Sequence, residues 1–132
     1  MIGRVLDTSS LVDFATQRTR YVEAVVWMHD RYVGSLIIPA PALTAARAQI
    51  SASAIPVLDV LVNLEVCVVL PLDENNIPGV ADTLKAAGSY APEAVTAASV
   101  VHAARARKVP VCTSNSYPLR ALWAGIEIDP IP

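Results

Sequence analysis

Short apolar runs recur along the chain, and longer segments with a helical spacing of apolar residues lie between them. Continuous apolar runs of this kind are typical of strands in a parallel sheet whose two faces are both covered. The sequence therefore predicts a series of short strands. They are Val5–Leu6, Leu36–Ile38, Cys67–Leu70, Val111–Thr113 and Ile126–Ile128.

The segments between these strands are predicted to be helices. In the second of them, valines recur at helical spacing between Val22 and Val26, with charged residues among them. Prolines at the start of several segments suit the first turn of a helix, where the missing N–H is not needed. The predicted helices are Leu11–Ala15, Tyr21–Tyr32, Ala42–Ile50, Pro56–Leu64, Val80–Ala87, Pro92–Arg107 and Pro118–Ala124.

Strands and helices alternate along the whole chain, which predicts an α/β fold with a mainly parallel sheet and helices on both of its faces. The chain has 132 residues, the size of one domain. No linker, repeat or low-complexity segment divides it. We therefore expect a single domain over residues 1–132 with three layers, α/β/α.

The composition excludes some classes of protein and some kinds of partner. Hydrophobic residues make up 54% and charged residues 17%, so the chain can bury a core and disorder is not expected. The net charge of −2 gives no overall attraction to nucleic acid, so RNA binding would need a local basic patch. The arginines that could form one are Arg18, Arg20, Arg47, Arg105 and Arg107.

Cys67 and Cys112 both lie in apolar runs and are predicted to be buried free thiols in a reducing compartment. No apolar run is long enough to span a membrane, and the N-terminus has no pattern of a secretory signal. The sequence therefore predicts a cytoplasmic protein without a membrane partner.

The first strand ends on Asp7, which hydroxyl residues and a helix follow. An acid at this position of an α/β sheet lies where such folds bind ligands and metals, outside the carboxyl ends of the strands. The alternative is that Asp7 only caps the helix through backbone N–H groups. Ser10 and Asp13 also have the spacing of a capping box.

Three bulky or titratable side chains elsewhere have structural interpretations. His29 is predicted at a helix surface or a partner contact rather than as a ligand, because catalysis by His needs placed partners. Trp27 and Trp123 are predicted to anchor either the core or a dimer interface.

Several stretches, in this order along the chain, resemble PIN domains, and in particular the VapC-like toxins of bacterial toxin–antitoxin pairs. The first runs from Val5 through Leu6-Asp7-Thr8-Ser9-Ser10 to Val12. Together the stretches span nearly the whole chain. They are Val5–Val12, Ile38–Thr44, Ser99–Arg107, Pro110–Asn115 and Leu119–Leu122.

The resemblance implies a sheet of order 3-2-1-4-5 with an active site at its carboxyl edge. It also implies a magnesium- or manganese-dependent ribonuclease, in which carboxylates hold the metal that activates water. PIN toxins commonly pair as homodimers and are neutralised by a small antitoxin. A homodimer, a small antitoxin-like protein and RNA are therefore the expected partners.

The chain departs from the family at the residues that hold the metal. Only Asp7 matches an acidic position of the family, while the other three positions fall on Ala45, Ala97 and Asn115. A divalent cation needs anionic oxygens to offset its dehydration, so Asp7 is a weak metal ligand if it is one at all. Asn115 is vestigial and offers a neutral carbonyl oxygen. Glu93, about one helical turn before Ala97, is the one acid that could compensate.

Three hypotheses of function follow. The first is a PIN-like domain whose nuclease activity is lost or weakened and which acts by binding RNA or a protein partner, without a cofactor. The second is an active Mg/Mn-dependent endoribonuclease with an atypical site, in which Asp7, Glu93 and Asn115 surround one metal. The third is a purely structural interaction subunit. Contacts with nucleic acid, where they exist, are expected from Ser9, Thr113, Arg105 and Arg107.

Overall fold

A computed structural model describes residues 3–32 and 34–132 of the chain. The described residues contain one parallel sheet in the order β3-β2-β1-β4-β5, which confirms the predicted α/β class and the predicted strand order. The strands are β1 (Gly3–Leu6), β2 (Ser35–Pro39), β3 (Cys67–Leu70), β4 (Val111–Thr113) and β5 (Ile128–Pro130).

The helices lie where the apolar spacing predicted them, with ends that differ by a few residues. Prolines near the N-terminal ends of four helices lie in the first turn, because proline fixes a helical φ there and loses no needed hydrogen bond. The helices are α1 (Thr8–Thr16), α2 (Tyr21–Arg31), α3 (Ala40–Gln49), α4 (Ile55–Val62), α5 (Ile77–Ala86), α6 (Ala94–Arg107) and α7 (Tyr117–Leu122).

The last strand lies two residues later than predicted. Ile126 is not part of β5 but is buried in the core, while the carbonyl of Glu127 accepts a hydrogen bond of 3.0 Å from the N–H of Val111. Pro130 ends the strand without loss, because β5 is an outer strand of the sheet and needs no N–H on its free side.

The capping box predicted at the start of α1 does not form. Asp7 is the N-cap residue and its side chain accepts a hydrogen bond from the N–H of Ser10, so Ser10 lies in the first turn. Asp13 is buried and instead accepts hydrogen bonds from the N–H and the hydroxyl of Thr19, at 3.1 and 2.8 Å. Asp13 thus ties the end of α1 to the turn that precedes α2.

The core lies on both faces of the central strands. Val5 and Leu6 of β1, Leu36 of β2 and Val111 of β4 are fully buried. The outer strand β3 is different, because Val68 and Val69 remain 44% and 37% exposed. The apolar run of β3 therefore belongs to a strand at the edge of the sheet, where helices cover only part of each face.

A polar network joins β1, β5 and the two ends of α2. Arg4 donates from Nε to Asp129 at 2.6 Å, and its Nη1 lies 2.6 Å from Nε2 of His29. The hydroxyl of Tyr21 donates to the other oxygen of Asp129. His29 is only 4% exposed, so its prediction as a surface or partner-contact residue was wrong. The apolar spacing of α2 indicates which side of the helix is buried, but it does not reveal that Arg4 of β1 contacts His29 there.

Both cysteines are free, and Cys112 is buried while Cys67 is half-buried. Burial raises the pKa of both thiols to about 12. They therefore carry no thiolate at neutral pH and act as apolar packing groups. Among residues 3–32 and 34–132, we find no helix with the length and apolar character that crossing a bilayer requires.

Candidate functional site

Asp7 lies between the end of β1 and the start of α1, at the carboxyl edge of the sheet, and is 8% exposed. Its Oδ1 accepts hydrogen bonds from the hydroxyl of Ser9 at 2.7 Å and from the N–H of Ser10 at 2.9 Å. Its Oδ2 accepts one from the hydroxyl of Thr113 at 2.5 Å. Asp7 therefore performs the capping role that the sequence left as the alternative to ligand binding.

Neighbouring groups hold these hydroxyls in place. The N–H of Ser114 donates to Oγ of Ser9 at 2.9 Å, and the N–H of Asn115 donates to Oγ1 of Thr113 at 3.0 Å. The turn after β4 thus aims both hydroxyl protons at Asp7. A carboxylate oxygen can accept about two hydrogen bonds, so Oδ1 is fully engaged and Oδ2 keeps about one free lone pair.

Burial raises the pKa of Asp7 above its ordinary value of 3.8, although the hydrogen bonds from Thr113, Ser9 and Ser10 act in the opposite direction. Burial destabilises the charged form of this carboxyl by more than the hydrogen bonds from its three neutral donors stabilise it. A cation next to Asp7 would stabilise its charged form. Among the described residues, however, the groups that donate hydrogen bonds to Asp7 are all neutral.

An open cleft of about 360 Å³ lies in front of Asp7. The start of α1 and the first turns of α6 and α7 form most of its wall, while the segment between β4 and α7 contributes Asn115 and α3 contributes its last residue. The lining residues are Asp7, Thr8, Ser9, Gln49, Glu93, Thr96, Ala97, Val100, Asn115, Pro118 and Leu119.

The structure brings most of the sequence-predicted site residues to this cleft. Asp7, Glu93, Ala97 and Asn115 all line it. Ala45 is not among the lining residues, and Gln49, one turn further along α3, takes that place. Gln49 was missed because only the positions aligned with the family's acids were considered, whereas the i, i+4 spacing from Ala45 would have indicated it.

These residues do not form a set of ligands that fits a divalent cation. Among residues 3–32 and 34–132, no group of three or more His, Cys, Asp or Glu side chains could hold a metal ion. Asp7 is largely engaged by protein donors, and Asn115 supplies a neutral oxygen. Magnesium requires near-octahedral oxygen ligands with charge to offset dehydration, and this cleft offers it the spare lone pair of Asp7 and the exposed carboxylate of Glu93.

The arginines predicted to contact nucleic acid do not gather at the cleft. Arg105 and Arg107 lie in the last turn of α6, about 12 and 15 Å along the helix axis from Ala97. The guanidinium of Arg105 stacks over the ring of Trp123, 5.1 Å from its centroid. Arg47 pairs with Asp59 at 2.5 Å. Contacts of Arg105 and Arg107 with nucleic acid stay a prediction that the geometry of the cleft does not favour.

One further arginine lies next to the cleft. Arg18 lines a neighbouring hollow together with Ser9, Gln49 and Ser114. Its side chain is 59% exposed and lies 3.5 Å from the buried carboxylate of Asp13. Arg18 is thus a basic residue close to the cleft, because its hollow shares Ser9 and Gln49 with it. The carboxylate of Asp13 already balances its charge.

An apolar hollow of about 400 Å³ extends the cleft between α6 and α7 and shares Glu93, Ala97 and Pro118 with it. Tyr90, before α6, and Tyr117, at the start of α7, are both 80% exposed. The extension means that the cleft could accept a segment of chain rather than a single small group.

No family model matches the chain, and no curated protein matches its sequence. Solved structures share its fold. A chain of "Crystal structure of VapBC2 from Rickettsia felis bound to a DNA fragment from their promoter" aligns with 99% of this chain and 100% of its own length, at 9% identity and a TM-score of 0.73.

Two more structures agree with this likeness. PAE2754 from Pyrobaculum aerophilum aligns with 96% of this chain and 92% of its own length, at 16% identity and a TM-score of 0.62. FitAcB from Neisseria gonorrhoeae aligns with 96% of both chains, at 15% identity and a TM-score of 0.60. At these identities the likeness establishes the fold, which is PIN-like, as the resemblance predicted.

Proposed function

We propose that this PIN-like domain comes from a system of the toxin–antitoxin type and acts by binding a small antitoxin-like protein, with its metal-dependent nuclease activity lost or weakened. The observation that carries the proposal is the state of Asp7. Three protein donors occupy this carboxylate, and the family's other acidic positions carry Ala45, Ala97 and Asn115. Too few anionic oxygens remain to hold the cation that hydrolysis would need.

The charge of the cleft supports a protein partner over RNA. Asp7 and Glu93 are the ionisable side chains among its described lining residues, and both are acidic. RNA backbones gain affinity from arginine and lysine, and the described lining residues of the cleft include neither. Arg18 lies in the adjoining hollow, where Asp13 already balances its charge. Two similar structures, VapBC2 and FitAcB, are toxin–antitoxin complexes, which supports the expectation of a protein partner for this chain too.

A second candidate function is an active ribonuclease with an atypical site. The observation in its favour is that Asp7, Glu93 and Asn115 line the same cleft. In that case Ser9 and Thr113, which already orient their hydroxyls there, would position the substrate or water. This candidate requires that Glu93, an exposed residue, provide the second anionic ligand.

One assay separates the two candidates. The protein, Asp7→Asn and Glu93→Gln are each incubated with single-stranded RNA and Mn²⁺, and cleavage is followed over time. We expect equal and negligible cleavage by all three proteins. Cleavage by the unmodified protein that falls at least about tenfold in both variants would establish the nuclease and overturn the first proposal.

The binding partner is tested separately. Co-expression with the product of a neighbouring small reading frame that encodes a DNA-binding protein should give a stable complex. A labelled single-stranded RNA provides the competing test, because binding through arginines must weaken steeply as salt rises. RNA binding of that kind without a protein complex would replace the protein partner by RNA.

A further inference from the structure

The C-terminal end of α6 carries a cluster of positive charge. Arg105 and Lys108 are exposed there, and Arg107, between them in the sequence, is half-buried. Between Glu93 and Glu127 the chain contains no acidic residue, although its net charge as a whole is −2. None of the three cations is in an ion pair with another described residue. We call Arg105, Arg107 and Lys108 the basic end of α6.

The helix dipole accounts for only part of this charge. Cations are favourable at the C-terminal end of a helix because the dipole places about half a negative charge there. The backbone already satisfies part of this end, since the N–H of Lys108 donates to the carbonyl of Ala104, as does the N–H of Val109 at 3.2 Å. Three cations exceed half a negative charge severalfold. The end of α6 therefore has an excess of positive charge that the described residues do not neutralise.

Arg105 is held in place by the indole of Trp123, which directly follows α7. Its guanidinium carbon lies 5.1 Å from the centroid of the ring. A stacked guanidinium uses its flat face for the contact and keeps the N–H groups at its edge for acceptors. Because stacking also fixes the direction of these N–H groups, Arg105 is prepared to donate to an oxyanion such as phosphate.

A fourth cation lies on the helix beside α6. Arg120 of α7 is exposed, and α7 packs against α6. In the part of the chain that the structure describes, no ion pair engages Arg120 either. The unbalanced positive charge therefore extends from the end of α6 to the neighbouring helix.

The surroundings of these cations favour a double-helical nucleic acid over a protein or a single strand. Protein interfaces have apolar anchors at their centre, but none of the large exposed apolar side chains of the described residues lies at the basic end of α6 or from Arg120 onwards. Single strands need aromatic faces on which bases stack, and the indole of Trp123 is half-buried and covered by Arg105. A duplex needs neither, because charge alone attracts its phosphates.

We propose that the basic end of α6, together with Arg120, binds the phosphate backbone of double-helical nucleic acid without reading its sequence. None of these residues lines the cleft at Asp7, and Arg105 lies about 12 Å along α6 from Ala97. The inference is therefore independent of the proposed function. A protein partner at the cleft and a duplex at the far end of α6 can be bound at the same time.

Fluorescence anisotropy tests the proposal with labelled duplexes of about 20 base pairs, one of DNA and one of RNA, in the presence of EDTA. We expect a dissociation constant on the order of 10⁻⁵ M at about 50 mM salt. With three or four phosphates neutralised, the logarithm of the association constant should fall with the logarithm of the salt concentration at a slope of about −3. The two duplexes identify which backbone fits better, and a single strand of equal length should bind at least about threefold more weakly.

Charge variants locate the surface. Arg105→Gln/Lys108→Gln should weaken binding by at least about tenfold and reduce the size of the salt slope by about two. Arg105→Lys/Lys108→Arg keeps both charges and should bind within about threefold of the unmodified protein. The matched control is Arg31→Gln/Lys85→Gln, which removes two exposed charges elsewhere and should also stay within that range.

Circular dichroism and thermal unfolding check that each variant folds. Should Arg105→Gln/Lys108→Gln fail to fold, Lys108→Gln/Arg120→Gln provides the second route. It removes the same amount of charge from two exposed positions and leaves the stacked Arg105 in place, so the same weakening is expected.

Three results would overturn the proposal. One is a dissociation constant above about 1 mM for both duplexes at about 50 mM salt. Another is binding that the variants of the basic end weaken no more than Arg31→Gln/Lys85→Gln does, which would locate the nucleic acid elsewhere. The third is tighter binding of the single strand than of either duplex. None of these results bears on the complex with a protein partner, which co-expression tests separately.

Discussion

Asp7, which follows β1, and Asp129, in β5, are two largely buried carboxylates with different hydrogen-bond partners. The side chain of Asp129 is 15% exposed and accepts hydrogen bonds from the guanidinium of Arg4 and the hydroxyl of Tyr21. Asp7 is 8% exposed and receives two hydroxyls and one backbone N–H, but no cation. Asp129 thus has a positively charged partner in Arg4, whereas the described donors to Asp7 are all neutral.

The network around Asp129 stabilises the fold from within, while the cleft at Asp7 is the site where we propose that a partner binds. A paired buried carboxylate fixes the elements around it, here β1, β5 and α2. A buried carboxylate without a cation is costly, and a positive charge from outside the chain would gain most at that point. In PIN-like folds that charge is expected from a metal. Here the neighbouring acids are missing, and a basic side chain of the proposed protein partner would supply that charge instead.

The largest effect is expected from breaking the paired carboxylate. Arg4→Met removes the ion pair of Asp129 and the hydrogen bond to His29 and leaves Asp129 largely buried without a counter-charge. We expect the free energy of unfolding to fall by about 2–3 kcal/mol, measured by urea titration. The double variant Arg4→Met/Asp129→Asn should recover part of this loss. A change below about 0.5 kcal/mol for Arg4→Met would mean that the network does not stabilise the fold.

Restoring acids next to the unpaired carboxylate should produce the next largest effect. Ala97→Asp/Asn115→Asp places two carboxylates on the wall of the cleft that contains Asp7. We expect the affinity for Mn²⁺, measured by calorimetry, to rise by at least about tenfold. The control is Ala86→Asp/Asn75→Asp, which makes the same change of charge at exposed positions outside the cleft. Equal Mn²⁺ affinity in both double variants would refute the assignment of Ala97 and Asn115 to the metal positions of the fold.

The hydroxyl of Tyr21 provides a smaller test on the side of Asp129. The hydrogen bond to Asp129 raises the pKa of Tyr21 to about 12. Because the pKa is raised in the folded protein, the bond's contribution to stability is complete below pH 10 and is lost as the pH rises towards 12. Tyr21→Phe should cost about 1 kcal/mol at pH 7 and should remove the absorbance step near pH 12 from an alkaline titration. Loss of the absorbance step near pH 10 instead of near pH 12 would show that the bond is absent in solution.

The smallest effect is expected at Asp7. Its pKa is raised by burial, so the stability of the unmodified protein should decrease as the pH rises from 3.8 through the raised value. Asp7→Asn keeps a good N-cap and removes this penalty. We expect it to increase the free energy of unfolding at pH 7, by less than Tyr21→Phe lowers it, and to flatten the dependence of that free energy on acidic pH. Marked destabilisation by Asp7→Asn at neutral pH would contradict this description.

The fold could be predicted from the sequence because its signals are local. The apolar runs of β1, β2 and β4, the helical spacing of α2 and the prolines at helix starts are each signals among neighbouring residues, and the resemblance implied the strand order. The error at β5 also has a local cause. Ile126-Glu127-Ile128 alternates like a strand, and only the packing of Ile126 into the core shows that the strand starts later.

The candidate site was predictable in part. Asp7 was found at the end of the first strand, Ala97 and Asn115 from the family resemblance, and Glu93 from its spacing to Ala97. The structure places all four at one cleft. The surroundings of Asp7 were not predictable, because the bonds from Thr113 and Ser114 depend on how β1 and β4 pair. Arg4 and Asp129 lie 125 residues apart, so no local pattern could join them. Arg105 and Arg107 lie at the end of α6 that is far from the cleft, and their contact with nucleic acid stays a prediction.

Calorimetric titration of the unmodified protein with Mn²⁺, beside Asp7→Asn, tests the central claim most directly. The account predicts no binding tighter than about 1 mM in either protein, because the spare capacity of Asp7 and one exposed glutamate cannot offset the dehydration of a divalent ion. Binding of Mn²⁺ well below that concentration, lost in Asp7→Asn and weakened in Glu93→Gln, would contradict it and would establish a working metal site in this cleft.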